Sequence, residues 1–278
     1  MERPDLQHII EVYWTIAAPY LSEIVREDLA GEQRALWREK ILRNSPKPRG
    51  MDVLDVGCGP GFFSIILSEA GNRVIAVDCT ARMLEEARIN AEEAGVRPTF
   101  LKMDSHTMGF PDGSFDLVVS RDVTWTLYDP ARAYAEWKRV LRPGGRILIF
   151  DANCGGACFK EQPAFGEKTD GEVYGEPEGD PLEIYAVQEE YSGKMFLSDK
   201  LRPAWDITTL SLLDMDVYTE MDVGSELSAE RGRRLNSGAP LFLVAAEKRL
   251  DLRKVEKVFY KGVWKITHTQ IRWDNSTG

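Results

Sequence analysis

Three glycines at positions 57, 59 and 61 interrupt an apolar stretch, VLDVGCGPGFF (53–63), and the carboxylate of Asp55 stands just ahead of them. Glycines so spaced let a backbone turn sharply and approach a ligand closely, because no Cβ stands in the way. The adjacent carboxylate favours a ligand that carries positive charge. Two more acids close apolar runs: Asp78 ends RVIAVD (73–78), seventeen residues beyond Gly61, and Asp104 ends PTFLKMD (98–104). A carboxylate at the first place can accept both hydroxyls of a ribose, and one at the second is in reach of an adenine amino group. The ligand implied has an adenosine and a positive charge. A dinucleotide fingerprint would need G-x-G-x-x-G, its third glycine packing helix against strand over a pyrophosphate. Phe62 occupies that position here, which disfavours an NAD(P)-dependent oxidoreductase.

For these residues to meet, a frame must bring several strand ends to one edge. Five β-branched or apolar runs supply it: DVLDVG, RVIAVD, PTFLKMD, FDLVVS (115–120) and RILIFDA (146–152). The helical stretches GFFSIILSEAG, ARMLEEARINAEEAG and DPARAYAEWKRVL lie among them, the last with Asp129 placed as N-cap and Pro130 as first helical residue. Near-continuous apolar strands alternating with helices predict an α/β, doubly wound parallel sheet covered on both faces. Ligands of such sheets bind beyond the carboxyl ends of the strands. Ahead of the sheet, residues 5–44 carry apolar side chains at helical period, divided at Pro19 and Gly31, and NSPKPRG (44–50) connects to the first strand. Beyond residue 152 the rhythm breaks into an acidic stretch, EQPAFGEKTDGEVYGEPEGDPLEIYAVQEEY, read equally as a solvated loop or as a lid. A helix over 202–215, strands over 216–223 and 240–248, and a terminal hairpin turning near Lys261 and Gly262 follow, the hairpin adding strands to a sheet edge. The expected divisions are a helical cap (1–50), a ligand-binding core (51–153), an insertion or lid with outer helix and strand on the substrate side (154–235), and a last core strand with an extension (236–278).

Composition narrows the class. A formal net charge of −10 argues against a nucleic-acid partner, whose affinity rests on Lys and Arg neutralising phosphates. An apolar fraction of 43% beside 29% charged residues is ordinary for a globular enzyme. No run approaches the roughly 18 apolar residues of a membrane span, and MERPDLQHII lacks the form of a secretory leader. The expected location is cytoplasmic. Cys154 and Cys158 form a C-x3-C pair without a matching pair nearby, so they read as free thiols and no metal is expected.

The motifs VLDVGCGPGFF, VIAVDCTARML, MDSHTMGFPDGSFDLVVSRDVTW and LRPGGRILIFDAN, taken together over residues 51–153, resemble those of the class I S-adenosylmethionine (SAM)-dependent methyltransferases. Within that class the chain looks most like the small-molecule group that includes the ubiquinone/menaquinone methyltransferases. The resemblance implies a Rossmann-like, seven-stranded, mostly parallel sheet in which PLFLVAAEK is the antiparallel strand and DVYTEMDV its outer neighbour. It also implies SAM as cofactor and S-adenosylhomocysteine as product. Position by position, Asp55 with Gly57, Gly59 and Gly61 would hold the methionine part, Asp78 the ribose, and Met83 would pack on the adenine. Asp104 and the Ser105 amide would read the adenine edge, with Ser120 and Arg121 beside the sulfonium. An N-terminal tyrosine over the cofactor corresponds to Tyr20, for which packing in the core is an equal alternative.

Transfer of a methyl group from a sulfonium is an in-line displacement, so alignment does most of the work. A base is needed only where the acceptor loses a proton, and Asp122 and His106 are the candidates. Trp14, Trp125 and Tyr128 could line a pocket for a small apolar or planar acceptor. The acceptor, the atom methylated and the oligomeric state, a homodimer included, stay open. A SAM-binding protein without catalysis is the alternative from another class.

Overall fold

In the computed structural model the chain is described over residues 3–152, 195–224, 227 and 240–250, with the backbone alone of two short strands at 256–260 and 263–267. Cys154, Cys158 and the acidic stretch lie outside the described residues. The chain starts with helices α1 (Arg3–Ala30) and α2 (Gln33–Asn44). It then alternates β1 (Asp52–Val56), α3 (Phe62–Glu69), β2 (Arg73–Asp78), α4 (Ala81–Glu93), β3 (Thr99–Lys102) and β4 (Phe115–Arg121). After a 3-10 turn (Thr124–Thr126) come α5 (Pro130–Val140), β5 (Leu141–Ala152), α6 (Ala204–Leu212), β6 (Met215–Glu220) and β7 (Leu241–Lys248).

Seven strands form one sheet in the order β3-β2-β1-β4-β5-β7-β6. The first five run parallel, and β7 is inserted antiparallel between β5 and β6, as in the pairs Ile149↔Val244 and Thr219↔Val244. This is the doubly wound α/β sheet that the strand and helix rhythm predicts.

Alternation along the strands explains how both faces are covered. Val53, Leu117, Leu148, Phe150 and Leu243 point to one face, where α2 and α3 bring Trp37, Ile41, Phe63 and Ile66. Their neighbours Leu54, Val118, Ile147, Ile149 and Val244 point to the other, against Tyr134, Trp137 and Val140 of α5 and Leu210 of α6. Each such fully buried side chain stabilises the fold by about 1.5–3 kcal/mol relative to exposure. Asp129 does cap α5, its carboxylate accepting from the Arg132 amide at 3.2 Å, with Pro130 next in line.

Three expectations change. Pro19 does not divide the N-terminal segment: α1 runs through it, and only Gly31 separates α1 from α2. A proline inside a helix removes one backbone hydrogen bond, and full burial of the preceding Ala17 and Ala18 holds the helix across the gap. The terminal hairpin forms as β8 (Glu256–Tyr260) and β9 (Val263–Thr267), but these strands pair with each other in a separate two-stranded sheet and do not extend the main edge. The fifth strand starts earlier than its apolar run, Leu141 already pairing with Phe115 before a register shift. Among the described residues no helix is long and apolar enough to cross a membrane.

Candidate functional site

The glycine loop leaves β1 while still tied to its neighbour: the amides of Gly57 and Cys58 both donate to the Val77 carbonyl, at 2.8 and 3.1 Å. Gly57, at φ +66°, has no room for a side chain, since a Cβ there would lie 2.4 Å from a methyl of Val123. Gly59 differs. Its φ is +50°, yet a Cβ would meet nothing within 4 Å, because it faces the open side of the loop. Loop, strand ends and α1 together enclose a cavity of about 210 Å³.

Acids at the strand ends line this cavity. Asp78 takes the Gly59 amide on one oxygen (3.0 Å) and the Thr80 amide on the other (2.8 Å), so the second strand end grips the glycine loop. Burial pushes its carboxyl up, partly offset by those two amides. Asp55, 2% exposed, accepts from the Ser64 hydroxyl at 2.6 Å. Burial pushes it up to about 7 against the opposing effects of Ser64 and the Arg121 guanidinium. Asp104 behaves oppositely. Burial would raise it too, but hydrogen bonds from the His106 ring and amide and from the Tyr128 hydroxyl outweigh that and hold it down to about 2.

His106 is enclosed. Its ring nitrogen Nδ1 lies 2.6 Å from Asp104 Oδ1, and Nε2 accepts from the Asp129 amide at 3.3 Å. With Nε2 an acceptor, Nδ1 carries the proton and donates to the carboxylate. The Tyr128 ring stacks on the imidazole at 3.7 Å between centroids, and its hydroxyl donates to the second oxygen of Asp104 at 2.8 Å.

Helix α1 forms a wall with Tyr13, Trp14 and Tyr20, and Met83 of α4 lies beneath it against Ala17 and Ala18. Trp14 meets Trp125 of the 3-10 turn edge-on at 6.0 Å. Arg121, at the end of β4, folds its guanidinium over Phe62 at 4.8 Å and Trp37 and Phe63 at 5.3 Å, with Asp122 Oδ2 3.9 Å from its Nε.

Of the residues singled out in the sequence, Tyr20, Asp55, Gly57, Gly59, Asp78, Met83, Asp104, Ser105, Arg121, Asp122, His106, Trp14 and Trp125 come together on this one cavity. Three stand off it. Ser120 is 1% exposed within the sheet, because the alternation of β4 turns it inward while its neighbour Arg121 faces out. Gly61 packs instead against Ala87, to which a Cβ would come within 3.1 Å. Tyr128 supports His106 and Asp104 from behind. The cavity also holds Gln7, Ile10, Tyr13, Phe63 and Met103, which sequence reasoning missed. The apolar period over residues 5–44 marks Ile10 only as one position of a helix face, and nothing in Met103 beyond its place before Asp104 sets it apart.

A second missed group is a buried charge cluster behind the 3-10 turn that carries Trp125. Arg202 is paired with Asp206 through Nε (2.9 Å) and with Asp151 (3.0 Å), and donates to Thr124 Oγ1 (2.6 Å). Thr124 in turn donates to Asp151, and Tyr134 to Asp206. All five are less than 5% exposed. The cluster anchors the turn that carries Trp125.

The chain is similar to known methyltransferases over its central part. Residues 54–149 match the methyltransferase domain family. The chain is 32% identical over 149 residues to a malonyl-[acyl-carrier protein] O-methyltransferase of Erwinia billingiae, covering 54% of this chain and 55% of that protein. It is 28% identical over 156 residues to a ubiquinone/menaquinone biosynthesis C-methyltransferase of Pseudoalteromonas translucida, covering 54% and 61%. The chain therefore spans little more than half the length of these relatives. Among solved structures, a SAM-dependent methyltransferase from Aquifex aeolicus superposes with a TM-score of 0.52 at 21% identity, over 82% of this chain and 97% of that one, a likeness of fold. Residues 54–149 thus match a methyltransferase domain, and the seven-stranded sheet around them has the fold of solved SAM-dependent methyltransferases.

Proposed function

We propose that the chain binds SAM in the cavity above the glycine loop and transfers its methyl group to a small-molecule acceptor. One observation carries the reading. Asp78 and Asp104, at or just beyond the ends of adjacent strands, line the same cavity as a loop whose Gly59 faces open space, and carboxylates beside close backbone suit an adenosine with a cationic tail. The buried Phe62 stands where a dinucleotide site would need its third glycine, which supports SAM over NAD(P).

The residues present fit that group. Asp78 would hold the ribose, Asp104 and the Ser105 amide the adenine edge, Met83 the adenine face, and Asp55 with the amides of the loop the methionine part. Bound there, SAM supplies an activated methyl on a sulfonium. Alignment in a water-poor space is then what the chain contributes, and Tyr13, Trp14 and Tyr20 exclude water from one side. Where the acceptor must lose a proton, Asp122 is the residue placed to take it. His106 is assigned to holding Asp104, since both of its ring nitrogens are engaged. Trp14 and Trp125 favour an apolar or planar acceptor.

Incubation with methyl-labelled SAM and a panel of quinols, acyl-carrier carboxylates and small amines tests this. Label in one product, lost in Asp78→Ala, supports it. Binding of SAM without transfer to any acceptor would favour a non-catalytic SAM-binding protein, and absence of SAM binding would overturn the assignment.

A further inference from the structure

The side-chain amide of Asn90, on α4 and 1% exposed, joins three parts of the site that lie far apart in sequence. Its Nδ2 donates to the Pro60 carbonyl at 3.0 Å and to the Ser22 hydroxyl of α1 at 3.1 Å, and its Oδ1 accepts from Arg26 Nε, also of α1, at 2.9 Å. The chemistry of the partners fixes the orientation of the amide. A carbonyl can only accept and a guanidinium can only donate, so nitrogen must face Pro60 and oxygen must face Arg26. No other side chain of this size offers two donors and an acceptor in that arrangement. Aspartate would set a carboxylate against the Pro60 carbonyl, and leucine would leave that carbonyl and the Ser22 hydroxyl without this partner.

What Asn90 ties together is the binding apparatus. Pro60 sits inside the glycine loop, next to the Gly59 whose amide holds Asp78. Ser22 and Arg26 sit on the helix whose Tyr13, Trp14 and Tyr20 wall the cavity. Arg26 is further held near Glu86 and Glu93 of α4, at 3.6 and 3.7 Å, which keeps its guanidinium in place for the amide.

We propose that Asn90 is a positioning residue for cofactor binding. It locks the glycine loop to α1, so that the turn that approaches the ligand and the helix that covers it hold one geometry before the ligand arrives. The inference rests on the reading of the cavity as a SAM site.

The test combines calorimetric titration of S-adenosylhomocysteine with amide hydrogen exchange of the unliganded protein, for wild type, Asn90→Leu, Ser22→Ala and Arg26→Met. Expected are wild-type binding, a loss of about tenfold or more in Asn90→Leu, and smaller losses in the other two, each of which removes only one of the partners of the Asn90 amide. Exchange should quicken at residues 57–61 and along α1, while β5 and β7 keep their protection. A folded Asn90→Leu with wild-type affinity and unchanged loop exchange overturns the proposal. So does exchange that quickens uniformly through the sheet, which marks a merely structural role. Should Asn90→Leu fail to fold, wild-type affinity in both Ser22→Ala and Arg26→Met overturns it. If the wild type itself does not bind, the SAM reading falls, and the positioning role for that cofactor falls with it; the contrast between loop and sheet exchange still reports whether Asn90 holds the loop.

Discussion

His106 donates from Nδ1 to Asp104 Oδ1 across 2.6 Å, while the stacked Tyr128 donates to the other oxygen of the same carboxylate. An acid that would read an adenine edge is thus fixed in direction and kept ionised by two neighbours. Its carboxyl is held down to about 2, so the stability it adds is present above about pH 4 and is lost as pH falls toward the folded value. His106→Ala should weaken SAM binding roughly 5- to 30-fold, in line with the loss of a buried charge-assisted bond. Turnover at saturating SAM should change little. Wild-type affinity with turnover abolished would return His106 to acid–base work.

Asp55 titrates in the opposite sense. Burial raises it to about 7, so the folded state holds a proton that the unfolded state releases near pH 4, and stability from this group falls as pH climbs between those values. Asp55→Asn keeps the acceptor for Ser64 and removes the charge. Denaturant unfolding of the unliganded protein at pH 5 and pH 8 should show the variant losing less stability over that interval than wild type, by on the order of 2 kcal/mol. Equal losses in both proteins would contradict the assignment. SAM binding should weaken in the same variant, since the carboxylate proposed to face the cationic end is gone.

The glycine loop separates strain from space. Gly57→Ala forces a side chain into the left-handed region and against Val123, and should cost about 2–4 kcal/mol in stability, part of it recovered by adding Val123→Ala. Gly59→Ala meets no neighbour and should cost about 1 kcal/mol, yet its methyl projects into the space proposed for the ligand. Thermal unfolding and ligand titration of the pair should therefore rank in opposite orders.

Arg202 carries the buried charge cluster. Arg202→Met leaves the buried carboxylates of Asp151 and Asp206 without their cation and should destabilise by about 3–5 kcal/mol. Because Thr124 loses a partner, the turn bearing Trp125 should loosen, seen as altered tryptophan fluorescence in a variant that still folds. A loss under 1 kcal/mol would show that the cluster does not hold the turn.

Much of the fold is legible in the residues themselves. The strands of a sheet buried on both faces read as apolar runs, and the carboxylates at or near their ends, Asp55, Asp78 and Asp104, stand out against them. Asp129 followed by Pro130 announces a helix start in two letters. Other features leave no local trace. Arg121 reads as a strand-end cation, and only the fold shows its guanidinium laid over Trp37, Phe62 and Phe63. Arg202 meets Asp151 through tertiary packing alone, and Asn90 looks like any polar position in a helix until Pro60 and Ser22 arrive beside it. Pro19 misled because a local breaker was weighed without the packing that carries α1 through it.

The most direct test of the account is calorimetric titration of SAM and S-adenosylhomocysteine into the wild type and Asp78→Ala. The account predicts micromolar-range binding of both ligands by the wild type, and loss of that binding in Asp78→Ala, whose glycine loop also loses the hydrogen bond at Gly59. A folded wild type that binds neither ligand, or an Asp78→Ala variant that binds as tightly as wild type, would contradict it.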